Sequence, residues 1–258
     1  MKVVSIAEAK AMSGVRIVTR KGVPTAWAEA AKGIFHVKRT DAVLAQEAES
    51  DEKGAHLQWT GEAGAPIVAY DDEKMRTGWM EILLLAERMA PAAHGVPALV
   101  PADGSQRATM FGVSNEICGE LGLAWCLRLL MIDRALENEG APGTFPVKIA
   151  KYLAAKYGYY PQSLAVAHAR VMTILDTLSQ TLGAGRYLVG DTLTAADIYW
   201  ATFGNMFGLL SPEELPAAQM VRQAWGAVGG SMREQVPANL VAHHRYVYER
   251  YLTLPVQL

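Results

Sequence analysis

The second half of the chain carries a helical pattern throughout, and this pattern limits the fold more than any other feature. Apolar side chains recur every three or four positions over residues 110–136 and again over 164–182, which is the period of an amphipathic helix. No convincing strand pattern occurs after residue 104. We therefore predict an all-helical domain, with one long helix over each of these runs, a third that opens at Thr194, and two more over 213–227 and 237–251.

The first 90 residues instead mix strand-like and helical runs. The predicted strands are residues 15–18, a run within 35–43, and 67–70; the predicted helices run from Thr25 to about Gly33 and from about Thr77 to the residues before Pro91. Residues 91–104 are rich in Pro, Ala and Gly, which is typical of a linker. The sequence thus predicts an α/β domain at 1–90, a linker at 91–104 and a helical domain at 105–258.

Composition excludes several classes of protein. The 258 residues carry a formal net charge of -2, with 51% hydrophobic and 19% charged residues, so we expect a globular protein that binds neither nucleic acid nor a membrane surface. Neither a long apolar run nor a secretion signal is recognisable, and a cytoplasmic location is expected. Cys118 and Cys126 fit neither a disulfide framework nor a zinc site. Cys118 follows the apolar stripe, so a buried, unreactive thiol is the favoured interpretation of this residue, with a reactive thiol as the alternative.

The most informative local motif lies at residues 193–198. Thr194 stands at an N-cap position and Asp197 three residues later, so the two side chains can form a capping box. Leu193 and Ile198 flank them with the spacing of a hydrophobic staple. Any well-capped buried helix can show this pattern, so the motif alone predicts a helix start and no function.

In its context, however, the segment 187–198 (YLVGDTLTAADI) resembles the buried-helix signature of the glutathione transferase C-terminal domain. The segment 65–68 (APIV), followed by an acidic turn and a helix, is similar to the thioredoxin-like N-terminal domain of that superfamily. The resemblance implies a thioredoxin-like α/β domain followed by an all-α domain, in an atypical, bacterial-looking glutathione transferase-like protein. It also implies glutathione as co-substrate, a small-molecule electrophile as acceptor, and a homodimer.

The resemblance places the group that activates the glutathione thiol just after the first strand, where members of the family use Tyr, Ser or Cys. Aligned on Pro24, that position holds Val23, which has no hydrogen to donate. Thr25 is the nearest hydroxyl and is our predicted catalytic residue. The alternative is that Thr25 simply caps the following helix. Thr19 and Ser13 lie too early in the chain and are weaker candidates.

The same resemblance gives the positions that hold glutathione. Ala65 precedes a predicted cis Pro66 and offers its backbone to the cysteinyl part of the tripeptide. Arg76 and Thr77 stand where an acidic residue and a Ser or Thr usually bind the γ-glutamyl group, and Trp27 completes the predicted set. The alternatives are a solvated charge for Arg76 and a helix cap for Thr77.

Residues on the predicted long helix border the cleft between domains in this family, so Trp125 and Arg128 are weak candidates for the acceptor pocket. Tyrosines near the C-terminus either line that pocket or pack the last helix, and packing is favoured. His243 and His244 are adjacent and face different directions, so we expect solvated or half-buried side chains and no metal. The predicted function is attack of glutathione thiolate on an apolar electrophile. The rival is a non-catalytic ligand-binding or protein-interaction module of the same fold.

Overall fold

The computed structural model describes residues 1–91 and 95–258. The first part of the chain forms a four-stranded sheet with helices packed around it. The strands are β1 (Lys2–Val4), β2 (Val15–Val18), β3 (Ala42–Ala45) and β4 (Ile67–Tyr70); the helices are α1 (Ile6–Ala11), α2 (Ala26–Val37), α3 (Ala55–Thr60) and α4 (Trp79–Met89). In the order β1-β3-β2-β4, β3 runs parallel to β1 and β2, whereas β4 runs antiparallel to β2.

The strands predicted at 15–18 and 67–70 are confirmed, but the second predicted strand is not where the sequence analysis put it. Helix α2 continues through Gly33 to Val37, and β3 begins only at Ala42. Gly33 serves close packing rather than helix termination. A Cβ at this position would lie 2.9 Å from a Leu252 methyl and 3.1 Å from an Ile198 methyl. The glycine therefore lets α2 approach the helical domain.

The rest of the chain is helical, which confirms the predicted fold class. Its helices are α5 (Gly104–Cys118), α6 (Leu123–Glu137), α7 (Val147–Tyr157), α8 (Ser163–Leu182), α9 (Ala195–Gly204), α10 (Gln219–Val228) and α11 (Ala238–Tyr251), with 3-10 helices at Asn205–Phe207 and Gly230–Gln235. Among the described residues, no helix has both the length and the apolar character needed to cross a bilayer.

The prediction of one long helix over 110–136 is wrong, because two helices share that run. Helix α5 ends at Cys118 and α6 begins at Leu123, and Leu121 between them has a left-handed backbone with φ 54°. Glycines allow the tight turn: a Cβ on Gly119 would lie 2.8 Å from the Asn115 carbonyl oxygen. The apolar period continues across the break because both helices bury their apolar faces in the same core.

The segment between the two parts of the chain is held against both of them. Residues 92–94 of the predicted linker lie outside the described residues. Beyond them, the Leu99 N–H donates to Glu87 Oε1 of α4 at 2.9 Å, and the Leu99 carbonyl accepts from Ala195 at the start of α9 at 2.9 Å. The buried Lys38 ammonium binds both Glu87 Oε1 and the Pro97 carbonyl, each at 2.9 Å. The boundaries 1–90 and 105–258 stay a prediction.

Helix α9 forms the centre of the helical domain and is buried along its whole length. The predicted capping box is present at its start, where the Thr194 N–H donates to Asp197 Oδ2 at 2.7 Å. Leu193 and Ile198, the predicted staple, are both buried. Because α9 contacts α2, α5 and α11, its start fixes how the helical domain meets the sheet domain.

Candidate functional site

The Ala65–Pro66 peptide bond is cis and stands directly before β4. Pro66 is buried, whereas Ala65 is half-exposed. Neither the N–H nor the carbonyl of Ala65 has a hydrogen-bond partner among the described residues. A free donor and a free acceptor on one residue form a short edge on which another extended chain can pair as a strand does.

Two cavities meet at this edge. One, of about 310 Å³, has Ala65 and Val23 in its wall; its other lining residues are Ile6, Val18, Thr19, Arg20, Lys21, Glu47, His56 and Gly64. The second, of about 450 Å³, extends from Ala65 toward the helical domain and is lined by Glu62, Ala63, Gly64, Pro66, Thr77, Tyr152, Ala155 and Lys156. The two cavities share Gly64 and Ala65 in their walls, so they adjoin at Ala65, and we call them together the cleft at Ala65.

Thr77 lies in the wall of the larger cavity and is exposed. The interpretation of Thr77 as a helix cap is wrong. The N-cap of α4 is Gly78, which has no side chain, and Thr77 lies one residue earlier. Thr77 therefore lines the cavity immediately before the N-terminus of α4. N–H groups at a helix N-terminus favour an anion.

Arg76 is half-buried and engaged with neighbouring residues, so it is not a solvated charge. Its guanidinium pairs with Glu73 and donates to the Lys74 carbonyl at 3.1 Å, while its backbone pairs with Val68 of β4. Glu73 also accepts from Arg88 at 2.7 Å, and these contacts, with that of Arg88 the larger, lower the pKa of the Glu73 carboxyl. Arg76 thereby ties the turn after β4 to α4, next to Thr77.

Thr25 is the N-cap of α2, where its hydroxyl oxygen accepts from the Ala28 N–H at 3.2 Å. The capping role weighed for this residue is therefore present. Thr25 is not among the residues that line the two described cavities, whereas Val23, at the position that the sequence analysis aligned with the family's activating residue, does line one of them. The catalytic role of Thr25 stays a prediction.

Trp27 joins the two domains. Its indole Nε1 donates to the Cys118 carbonyl at 3.0 Å, and its ring packs edge-on against Phe203 of α9 with centroids 5.1 Å apart. Trp27 also lines a small apolar crevice with Pro66 and Thr77. It thus supports the cavity wall, and its predicted contact with glutathione stays a prediction.

Trp125 and Arg128 pack around Tyr157, at the end of α7. The Trp125 and Tyr157 rings meet edge-on with centroids 4.7 Å apart, and the Arg128 guanidinium lies 5.4 Å from the Phe145 ring centroid. Arg128 is buried, and its Nε has no partner among the described residues. Neither Trp125 nor Arg128 is among the residues lining the two cavities within 1–91 and 95–258. They lie behind the wall that α7 supplies, and their predicted role at the acceptor stays a prediction.

Lys156 was missed by the sequence analysis. Helix α7, which was itself not predicted, carries this residue into the larger cavity beside Gly64 and Ala65. A Cβ placed on Gly64 would lie 2.8 Å from the Lys156 Nζ. The apolar residues Ala150, Leu153, Ala154 and Tyr157 have helical spacing and could have predicted α7, but no local signal indicates that Lys156 reaches a cavity beside the sheet domain.

The protein's own thiols are poor nucleophiles. Cys118 is buried, as predicted, and Cys126 is buried as well. Burial raises the pKa of Cys118 well above its usual value and that of Cys126 to about 11, so both stay protonated at neutral pH. A reactive thiol at this site must therefore come from a ligand.

The prediction of solvated or half-buried histidines at 243 and 244 is wrong. Both are buried, since α11 packs against α9. His243 Nε2 lies 3.0 Å from Asp197 Oδ1, and His244 Nε2 lies 2.9 Å from Asn205 Oδ1. In the part of the chain that the structure describes, no group of three or more His, Cys, Asp or Glu side chains is arranged to hold a metal ion.

The tyrosines near the C-terminus are engaged in packing. Tyr248 accepts a hydrogen bond from the Asn205 amide at 2.6 Å, and the Tyr187 hydroxyl lies 2.5 Å from that of Tyr251 and 3.2 Å from that of Tyr246. The favoured interpretation, that these rings pack the last helix, is confirmed.

Comparison with known proteins bears on the fold. Residues 161–227 match the family model "Glutathione S-transferase, C-terminal domain". No curated protein has a sequence that matches this chain.

Solved structures resemble the chain over nearly its whole length. A glutathione S-transferase from Methylobacterium radiotolerans, in complex with glutathione sulfonate, is 15% identical with a TM-score of 0.58, over 95% of this chain and 98% of its own. Rice GST1, in complex with glutathione, is 16% identical with a TM-score of 0.60, over 95% and 93%. A glutathione S-transferase domain-containing protein from Marinobacter aquaeolei is 15% identical with a TM-score of 0.59, over 91% and 98%.

The predicted two-domain architecture is therefore confirmed for the chain as a whole. The similarity to the solved structures extends over both halves of the chain, whereas the family model covers only part of the helical domain. The chain has the two-domain fold of the solved glutathione transferase structures, and its residues 161–227 match the model of that family's C-terminal domain.

Proposed function

We propose that the protein binds glutathione in the cleft at Ala65 and transfers it to an apolar electrophile. The observation that carries this proposal is the N–H and carbonyl of Ala65, which have no hydrogen-bond partner among the described residues and belong to a residue that lines two adjoining cavities. A tripeptide has the extended backbone that such an edge pairs with. Two proteins of the same fold are in complex with glutathione or its sulfonate.

The cleft offers different chemistry on the two sides of Ala65. Thr77 and the N-terminus of α4 suit the γ-glutamyl carboxylate, since backbone N–H groups and a helix N-terminus favour an anion there. On the other side, Arg20 and His56 line the smaller cavity and suit the glycyl carboxylate. The cysteinyl part of the tripeptide then pairs with Ala65, between the two.

The proposed reaction is nucleophilic attack by the thiol of glutathione bound in the cleft at Ala65. The S–H bond of glutathione breaks and its proton passes to solvent. The thiolate uses an electron pair to form a bond to an electrophilic carbon, and the leaving group departs with the electron pair of the bond that breaks. Holding both reactants in one cleft makes this step effectively unimolecular, which contributes a large part of such rate enhancements.

The rival function is a binding module without catalysis. Val23 favours this rival, because a valine cannot donate a hydrogen bond to the sulfur, although it lines a cavity that also includes Ala65. This rival module binds a ligand, which can be glutathione or another molecule, or it binds a protein partner. A glutathione titration therefore tests the glutathione site, and a turnover assay then separates the enzyme from a module that binds glutathione without catalysis.

We would titrate the purified protein with glutathione and with S-methylglutathione by isothermal calorimetry. The proposal predicts saturable binding of both ligands at one site per chain. Thr77→Ala should weaken both, because it removes a hydroxyl that faces the γ-glutamyl position, whereas Thr77→Ser keeps the hydroxyl and should bind as the wild type does. Absence of heat and of a thermal shift with either ligand would refute the proposal.

We also propose that the protein is a two-fold homodimer. The exposed Met80 and Leu84 lie one helical turn apart on α4, with 45% and 40% of their surfaces accessible. Apolar side chains that are neighbours on one helix face form a strip suited to a protein contact. The oligomeric state in solution tests this proposal directly.

A further inference from the structure

We infer that the ammonium group of Lys156 stabilises the glutathione thiolate, in place of the hydroxyl or thiol that Val23 lacks. The inference rests on the proposed glutathione site, since it concerns the sulfur of a ligand paired with Ala65. It assigns to a residue of the helical domain a task that the sequence analysis gave to Thr25 in the sheet domain.

The first argument is position. Lys156 extends from α7 into the larger cavity, and its Nζ lies so close to Gly64 that a Cβ there would be only 2.8 Å away. Gly64 immediately precedes Ala65, whose backbone is free to pair with the cysteinyl part of a tripeptide. A cysteine side chain is short, so its sulfur stays near the backbone that is paired.

The second argument is charge. Lys156 has no hydrogen-bond or ion-pair partner in the described part of the chain, and its ammonium lies 5.8 Å from the Tyr157 ring centroid. The charged groups that act on it are Arg128 of α6, Arg20 after β2 and Glu62 after α3. Two of these three are cations, so the ammonium lacks sufficient negative charge nearby.

The titration behaviour of the ammonium agrees with this picture. Partial desolvation lowers the pKa of Lys156, although the residue as a whole is exposed; Arg128 and Arg20 lower this pKa further, and Glu62 opposes them. An anion placed beside the ammonium relieves this repulsion, because opposite charges within a few ångströms favour each other's ionised forms. By the same coupling, the ammonium lowers the pKa of a neighbouring thiol.

The chemistry balances without a further reactant. Lys156 keeps its proton throughout and makes a charge-assisted contact with the sulfur. The thiol proton leaves to solvent, and the thiolate keeps the electron pair with which it attacks the electrophile. Lys156 thus acts as an electrostatic stabiliser of the thiolate and does not act as a base.

The test is the pKa of the bound glutathione thiol, followed by its thiolate ultraviolet absorbance across a pH titration. A free thiol has a pKa of about 8.5, and an opposite charge nearby lowers such a pKa by about 1–3 units. We expect the pKa of the bound thiol to be lowered in the wild type and to lie near that of the free thiol in Lys156→Met. In Lys156→Arg we expect the lowered pKa to return. Lys151→Met is the matched control, because Lys151 is an exposed lysine on the same helix.

S-methylglutathione, which has no ionisable thiol, separates this role from binding of a carboxylate. We expect Lys156→Met to leave its affinity unchanged. If its affinity falls while the thiol pKa stays constant, Lys156 binds a carboxylate and the inference is overturned. If glutathione binds and its thiol pKa is equal in wild type and Lys156→Met, the inference fails and the proposed function stands. If the wild type binds no glutathione, the proposed function fails and the inference with it.

Discussion

Replacing Asp197 with alanine removes the acceptor of a buried hydrogen-bond network in the centre of the helical domain. Its carboxylate accepts from the Leu188 N–H at 2.8 Å, the Thr194 N–H at 2.7 Å and the Thr194 hydroxyl at 2.9 Å, and it contacts His243 at 3.0 Å. Asp197 is fully buried, and Leu188 and Thr194 are nearly so. Water therefore cannot replace the lost acceptor without a local rearrangement.

The cost follows from the groups left without a partner. Two buried backbone N–H groups lose their acceptor, and each unsatisfied buried donor costs about 1–3 kcal/mol, so we expect the free energy of unfolding to fall by about 2–6 kcal/mol. That is a large fraction of the roughly 5–15 kcal/mol that stabilises a typical protein. Asp197→Asn keeps one acceptor oxygen and the volume of the side chain, so it should destabilise less.

The assay is urea unfolding, followed by circular dichroism and by tryptophan fluorescence so that a non-cooperative transition is detected. Asp191→Ala is the matched control, because Asp191 is exposed and lies six residues earlier; surface substitutions usually stay within about 0.5 kcal/mol. If Asp197→Ala changes stability no more than Asp191→Ala does, the network does not stabilise the start of α9 and our account of the motif is wrong.

Further predictions concern the cap of α2, the response to acid and the assembly. Thr25→Ala should lower the free energy of unfolding by about 0.5–2 kcal/mol through loss of the cap. If Lys156 stabilises the thiolate as inferred, turnover of the folded variant should be unchanged, whereas lost turnover at full stability would support the predicted catalytic role of Thr25. Burial and the neighbouring Arg245 lower the pKa of His244 to about 3. Between that pH and about pH 6.5, the unfolded chain therefore binds a proton at His244 that the folded chain does not bind. Stability, measured by urea unfolding at several pH values, should therefore fall as the pH drops through this window, and it should fall less in His244→Gln. An equal pH dependence of stability in wild type and variant would refute this. Sedimentation equilibrium should give twice 28.0 kDa, and Met80→Lys should shift the protein toward monomers; a monomeric wild type would contradict the dimer.

Local signals in the sequence predict local structure well. The capping box at Thr194 and the strands at 15–18 and 67–70 depend on neighbouring residues, so their patterns were sufficient. Gly33 shows the opposite case: it resembles a helix end, but its role is close contact between α2 and the helical domain. The sequence pattern cannot distinguish these roles, because the partners of Gly33 lie more than 150 residues away along the chain.

The break between α5 and α6 was missed because the apolar period continues across it. Helix periodicity reports which side chains face the core and does not report whether the backbone between them is continuous. The glycines at 119 and 122 were the available signal, since a tight turn at this place tolerates no Cβ. Burial of the two histidines at 243 and 244 was missed for a related reason, because their partners Asp197 and Asn205 lie on a different part of the chain.

The candidate site likewise contains residues that a local pattern predicts and residues that only tertiary packing brings together. Ala65, Pro66 and Thr77 lie close together in sequence, and the structure brings them together in one cleft. Lys156 reaches the same cleft only through the packing of a helix from the other domain, which no local pattern encodes. Thr25 was chosen as the nearest hydroxyl along the chain, whereas the structure engages that hydroxyl in capping α2.

The most direct test of the central claim is the amide resonance of Ala65 during a titration with S-methylglutathione. If a tripeptide pairs with the free N–H and carbonyl of Ala65, this amide should shift with saturation and its hydrogen exchange should slow, since it gains a hydrogen bond. The amide of Thr77 should shift at the same ligand concentrations. Saturable binding that leaves the Ala65 and Thr77 amides unchanged, while residues elsewhere respond, would contradict the account and place the glutathione site outside this cleft.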